Sequence, residues 1–153
     1  MPNYTIRVAT LDDVPTLVRH HQAVFVDMGI QGEHIAMNEQ FAKWVTQAIA
    51  NESYFGWLVE TESHEVVAGG SLFLLPWPPS PTDLNWQRGY VFDVYTRPDH
   101  RLAGLARRVM GEIHQWAKQR GLKTIGLHPS REGRALYESL GYLPASEMLL
   151  SLK

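Results

Sequence analysis

The chain contains no cysteine among its 153 residues. That absence excludes disulfides, thiolate metal sites, iron–sulfur clusters and a cysteine nucleophile. It also lacks an overall charge of either sign, with 14 Lys and Arg against 16 Asp and Glu. No global basic field is available to hold nucleic acid or anionic lipid, and neither is expected as a partner. Long apolar runs are missing too. The most apolar stretch, Val66 to Leu75, is interrupted by Gly69 and Gly70 and falls short of the roughly 20 residues of a membrane span. The opening MPNYTIRVATLDD has neither the basic nor the apolar region of a secretory signal, so a cytoplasmic location is expected. Repeats and low-complexity tracts are absent; the nearest approach is the loop PWPPSPTDLNW, Pro76 to Trp86.

What is present reads as one α/β domain over residues 1–153. Tyr4 to Ala9 alternates as a half-buried strand does. Thr10 and two following acids start a helix carrying Leu11, Val14, Leu17, Val18 and His21 on one face. Phe41, Trp44, Val45, Ala48 and Ile49 mark a second amphipathic helix. Strands follow over Tyr54 to Glu60, Val66 to Leu75 and Gly89 to Thr96. A long helix runs from Leu105 to a stop at Gly121. A short strand, Lys123 to His128, a helix from Glu132 to Leu140 and a last strand, Ala145 to Leu152, complete the order β-α-α-β-β-β-α-β-α-β. A mixed, mostly antiparallel central sheet flanked by helices is expected.

The segment that carries chemistry is TRPDHRLAGLARRVM, Thr96 to Met110. A strand enters a turn of small residues and a helix begins there. Such a helix start presents unpaired N–H groups and the positive end of the dipole. Gly104 and Ala106 leave room for an anion to approach the backbone. Seven basic residues against two acidic ones lie between Arg97 and Lys123, so a di- or polyphosphate is the natural ligand. A nucleoside-triphosphate loop, GxxxxGK[ST], and a GxGxxG fingerprint are both absent.

Arg101, Gly104 and Ala106 match [QR]xxGx[GA], and the segment resembles the acyl-CoA loop of the GNAT acetyltransferase superfamily. A second match lies in LHPSREGRALYESLGY, where Ala135, Leu136, Tyr137, Gly141 and Tyr142 fit the superfamily's last helix. The resemblance extends over nearly the whole chain. It implies an N-acetyltransferase that moves acetyl from acetyl-CoA, a co-substrate, directly to a primary amine of a small molecule or peptide. A non-catalytic acyl-CoA-binding module on the same fold is the alternative, and a protein binding another phosphate nucleotide is a third.

The resemblance also implies roles. Backbone N–H groups from Leu102, Ala103, Gly104, Leu105, Ala106 and Arg107 would hold the pyrophosphate, with Arg101 beside them. Ser130 and Arg134 would meet the CoA arm. Val94, Tyr95 and Thr96 would line the acetyl group and supply an oxyanion donor. Tyr137 would protonate the departing thiolate. Asp93 is the candidate base, with Glu60 a weaker rival. Phe25 and Met28, with Asp27 and Glu33 nearby, would shape the acceptor pocket. The superfamily often forms dimers, so a homodimer is possible, and an exposed Trp77 or Trp86 would favour an interface. No metal is expected, because the seven histidines lack ligand spacing. His21 reads as a core or cleft residue and His100 as solvent-facing.

Overall fold

The computed structural model describes residues 2–152. Its sheet has five strands in the order of the chain: β1 (Thr5–Val8), β2 (Tyr54–Glu60), β3 (Val66–Pro76), β4 (Gln87–Thr96) and β5 (Ile125–Leu127). The first four pair antiparallel and β5 joins β4 in parallel. Four helices cover it: α1 (Val14–Asp27), α2 (His34–Ala50), α3 (Leu105–Gln119) and α4 (Arg134–Ser139).

Alternation along β2 splits the core into two layers. Trp57 and Val59 join Val109, Met110 and Ile113 of α3 on one face. Tyr54 and Leu58 join Leu17 of α1 and Phe41 and Val45 of α2 on the other. The helix faces expected from the 3.6-residue period are therefore the buried ones. Gly70 of β3 is required where α3 crosses the sheet: a Cβ there would lie 2.7 Å from Val109 Cγ1.

Two features of β4 position the site. The first is a bulge. Ser71 pairs with Phe92 and Gly69 with Tyr95, so β4 carries one residue more than β3 over that step. Asp93 takes up the excess with φ +54°. Phe92 and Asp93 consequently both turn toward the α1 side, while Val91 and Val94 face α3. Bulges re-aim side chains in this way, and they recur beside active sites. The second feature is a divergence. β4 and β5 pair only where Gly89–Val91 meets Ile125–Leu127. Beyond that the two strands separate, leaving Val94, Tyr95 and Thr96 to line a cleft.

The structure corrects the expected end of the chain. Residues 145–152 form no strand. The run MLLSL has the composition of a strand but no alternation, and a strand exists only where an edge pairs with it. Among the described residues no strand pairs with it.

Candidate active site

The helix start at Gly104 is built as the sequence demands. Gly104 stands at the N-cap of α3 with φ +74°, a conformation glycine adopts without steric penalty. It offers no side-chain acceptor, and its carbonyl takes the Arg108 N–H at 3.1 Å. The N–H groups of Leu105, Ala106 and Arg107 thus begin the helix uncapped. Leu102, at φ +64°, turns its side chain fully into solvent. The loop backbone is thereby left facing the cleft.

That cleft, about 500 Å³, lies between α1, the end of β4, the loop and the start of α4. It brings together Val94, Tyr95, Thr96, Arg101, Leu102, Gly104, Leu105, Ala106, Arg107 and Ser130, all expected there, with Met28 of the acceptor side. Val24, Asp27, Glu132, Gly133 and Leu136 complete the wall. Ala103 does not line it. Neither does Arg134, which points to a separate groove beside β5 and pairs with Glu138 at 3.3 Å. Phe25 also leaves the cleft wall, turning its ring edge onto His21 at 5.1 Å. Glu33 borders a shallow hollow at the start of α2, away from the cleft.

The arginines are less free than the sequence suggests. Arg101 donates to Thr96 O and to Asp27 Oδ2, both at 2.8 Å, and so straps the loop to the end of α1. Arg97 is taken up by Asp99 and Glu65. Arg107 donates to Ser139 Oγ at 2.8 Å, tying α3 to α4. The cleft's attraction for an anion therefore rests on the helix start and the side-chain cations around it together, not on unpaired arginine alone.

Asp93 is buried, and its carboxylate is engaged: Oδ2 lies 2.7 Å from His21 Nδ1. Burial raises its pKa above the ordinary carboxylate range, and the His21 contact pulls the other way. The His21 ring stacks on Phe41 at 3.8 Å and 9°, which fixes its plane. Its Nε2 meets no protein partner among the described residues, and solvent reaches it. His21 precedes Val24, a cleft residue, by one helical turn. The sequence places His21 on an apolar face but does not reveal this pairing, because the partner lies 72 residues away.

Glu60 is excluded as a base. It accepts from Arg7 Nε at 2.5 Å, and Arg7 also forms a bidentate pair with Asp13 at 2.8 Å. The guanidinium holds both carboxyls below their ordinary range. This network ties β1, β2 and the start of α1 together, away from the cleft. His100 is likewise not solvent-facing: it is half-buried, with Tyr4 Oη 2.8 Å from its Nδ1.

Tyr137, expected at the cleft, does not line it and borders the groove beside β5 instead. The start of α4 is close-packed around it: a Cβ at Gly133 would be 3.0 Å from the Tyr137 ring and 3.7 Å from its hydroxyl-bearing carbon. Gly133 itself lines the cleft, and it is the residue through which the Tyr137 ring neighbours that cleft. Burial raises the Tyr137 pKa above that of a free phenol, so the hydroxyl keeps its proton at neutral pH. Among the described residues no three His, Asp or Glu side chains gather as metal ligands, and no helix is long and apolar enough to cross a membrane.

His20, adjacent to His21, faces elsewhere, as neighbours on a helix do. It is buried 5.0 Å from the Tyr95 ring, and burial lowers its pKa to about 4. The unfolded chain binds this proton below about 6.5, the folded chain only below about 4. Between those values the unfolded state holds more protons, so stability falls as pH falls. Chemical denaturation from pH 7 to 4.5 should show this slope, up to about 1.4 kcal/mol per pH unit. His20→Phe should flatten it; an unchanged slope would remove His20 from the account.

The fold that carries this arrangement is shared with known proteins. Residues 17–142 match the acetyltransferase (GNAT) family. The chain belongs to that family and is an acyltransferase enzyme. It is similar to a GCN5-related N-acetyltransferase from Ralstonia eutropha JMP134, with 31% identity and a TM-score of 0.92 over 98% of this chain and 99% of that one. It also resembles a predicted acetyltransferase from Clostridium acetobutylicum solved with acetyl-CoA, at 25% identity and a TM-score of 0.91, over 98% and 96% of the two chains. Glucosamine-6-phosphate N-acetyltransferase from Arabidopsis thaliana shares the fold at 17% identity and a TM-score of 0.71, over 98% of each chain. A comparison with curated proteins finds no match.

Proposed function

We propose that the chain transfers acetyl from acetyl-CoA directly to a primary amine. The observation that carries this reading is the uncapped start of α3 at Gly104, in one cleft with the diverging end of β4. The pyrophosphate lies on the N–H groups of Leu105, Ala106 and Arg107, and the CoA arm runs past Ser130 toward Val94–Thr96. An amine entering beside Met28 attacks the thioester carbonyl. A backbone N–H of the Val94–Thr96 segment stabilises the oxyanion. His21 Nε2 takes the proton that the amine loses, with Asp93 holding Nδ1–H and the ring orientation. Collapse breaks the C–S bond, and Tyr137 gives its proton to the CoA thiolate. Fixing both reactants in line supplies much of the acceleration. With no cysteine in the chain, no acetyl-cysteine relay intervenes.

The test is CoA release from acetyl-CoA against a panel of amines, small molecules and N-terminal peptides together. Turnover with at least one amine supports the reading. Tight acetyl-CoA binding with no turnover on any of them supports a binding module instead.

Gly104→Asp separates ligand binding from folding. The position is open, with nothing within 4 Å of an added Cβ. Aspartate tolerates a positive φ better than most residues. Its carboxylate would cap the helix and occupy the N–H groups meant for pyrophosphate. We expect acetyl-CoA affinity to fall at least about tenfold, the scale of one charge-assisted contact, with the thermal midpoint nearly unchanged. Equal affinity in both proteins would place the pyrophosphate elsewhere.

A further inference from the structure

Among the described residues two arginines line the cleft, and their partners differ in charge. Arg107 donates to a neutral hydroxyl, Ser139 Oγ at 2.8 Å. Arg101 is paired with an acid: its Nη2 donates to Asp27 Oδ2 at 2.8 Å, while its Nε donates to Thr96 O at 2.8 Å. Asp27, Thr96, Arg101 and the start of α3 at Gly104 and Leu105 border one space. The guanidinium thus stands beside the helix start that suits a pyrophosphate, and its carboxylate partner stands next to Met28 in the acceptor-side wall. The two side chains are 45% and 47% exposed. An ion pair so open to solvent is weak, and a doubly charged pyrophosphate is a stronger partner for Arg101 than a single carboxylate.

Asp27 is also poorly placed for the helix that carries it. It is the last residue of α1, where the negative end of the dipole disfavours an acid. The helix end is closed by backbone alone: Met28 N–H donates to Val24 O at 3.1 Å, Gly29 N–H to Val26 O at 3.0 Å and Ile30 N–H to Phe25 O at 3.0 Å. Those carbonyls are taken, so the carboxylate is the group at this end with capacity for a ligand. Once Arg101 is drawn away, the acid and the dipole end together favour a cation.

Resting on the acetyl-transfer reading above, we infer that acetyl-CoA opens a cation subsite at Asp27: the pyrophosphate takes Arg101, and the freed carboxylate binds a second cationic group of the acceptor. The group held there is not the attacking nitrogen. Asp27 lies six residues beyond His21, about 9 Å further along α1. A nitrogen paired with a carboxylate also keeps the proton it must lose to attack. A linear diamine with several carbons between its nitrogens fits both positions, whereas a monoamine leaves the subsite unused. Each ligand strengthens the binding of the other, because the strap holds Arg101 from one and Asp27 from the other.

Calorimetry with CoA, hexamethylenediamine and hexylamine tests this without turnover. The diamine should bind at least about threefold more tightly when CoA is present, the scale of a half-exposed ion pair, and CoA should gain the same factor from the diamine. Asp27→Asn should abolish this mutual gain and tighten CoA alone by about threefold. Made in Arg101→Gln, the same aspartate change should leave CoA affinity where it was, because no strap remains to release. Glu132→Gln alters the other acid in the cleft wall, which is outside the strap, and should keep the mutual gain. Equal diamine affinity with and without CoA would overturn the inference while CoA binding stands. So would a gain that hexylamine shares, that survives Asp27→Asn or that Glu132→Gln removes, and so would equal tightening of CoA by Asp27→Asn in both backgrounds. A wild-type chain that binds no CoA would instead overturn the acetyl-transfer reading, and the subsite with it.

Discussion

Tyr137→Phe is expected to lower kcat by about 10²-fold or more, the usual range for losing a positioned proton donor. The substitution removes one oxygen and keeps the ring. Its contacts with Gly133 and its edge-on packing against Tyr142 at 5.9 Å therefore persist. Burial holds the phenol above its free pKa, so it stays protonated up to a thiolate's leaving. Acetyl-CoA affinity should be unchanged, because the pyrophosphate site proposed above lies on α3. A structural role would show the opposite pattern: a lower thermal midpoint with turnover intact. Turnover within about twofold of wild type would remove Tyr137 from the acid role.

His21→Gln is expected to lower kcat/KM by about 10². In the wild type His21 Nδ1 lies 2.7 Å from Asp93 Oδ2. Asp93→Asn should also lower the rate, and it is well tolerated by the backbone, since asparagine accepts the φ of +54° found there. Because the two residues act as one unit, the double variant should lose little more than either single one. Additive losses would show that the amine's proton leaves by another route.

The parts of this site that can be read from sequence are the ones formed by neighbouring residues. The loop from Arg101 to Ala106 is a strand–turn–helix junction whose glycine, alanine and flanking helix period all lie within fifteen residues. The α4 segment with Tyr137 is equally local. What could not be read depends on distant partners. Nothing in GYVFDVYT marks Asp93 as the extra residue of a bulge; that follows from its register against Gly69 and Ser71 of β3. The His21–Asp93 pair joins residues 72 apart, and the strap from Arg101 to Asp27 joins residues 74 apart. The removal of Glu60 from candidacy depends on Arg7 across the β1–β2 pair. The missing last strand has the same origin: a propensity for strand becomes a strand only on pairing, and among the described residues none pairs with residues 145–152.

Calorimetric titration with acetyl-CoA tests the central claim most directly. The account predicts one acetyl-CoA per chain, with binding weakened at least about tenfold in Gly104→Asp, the scale of one charge-assisted contact, and untouched in Tyr137→Phe. Absence of acetyl-CoA binding by the wild-type chain would contradict it.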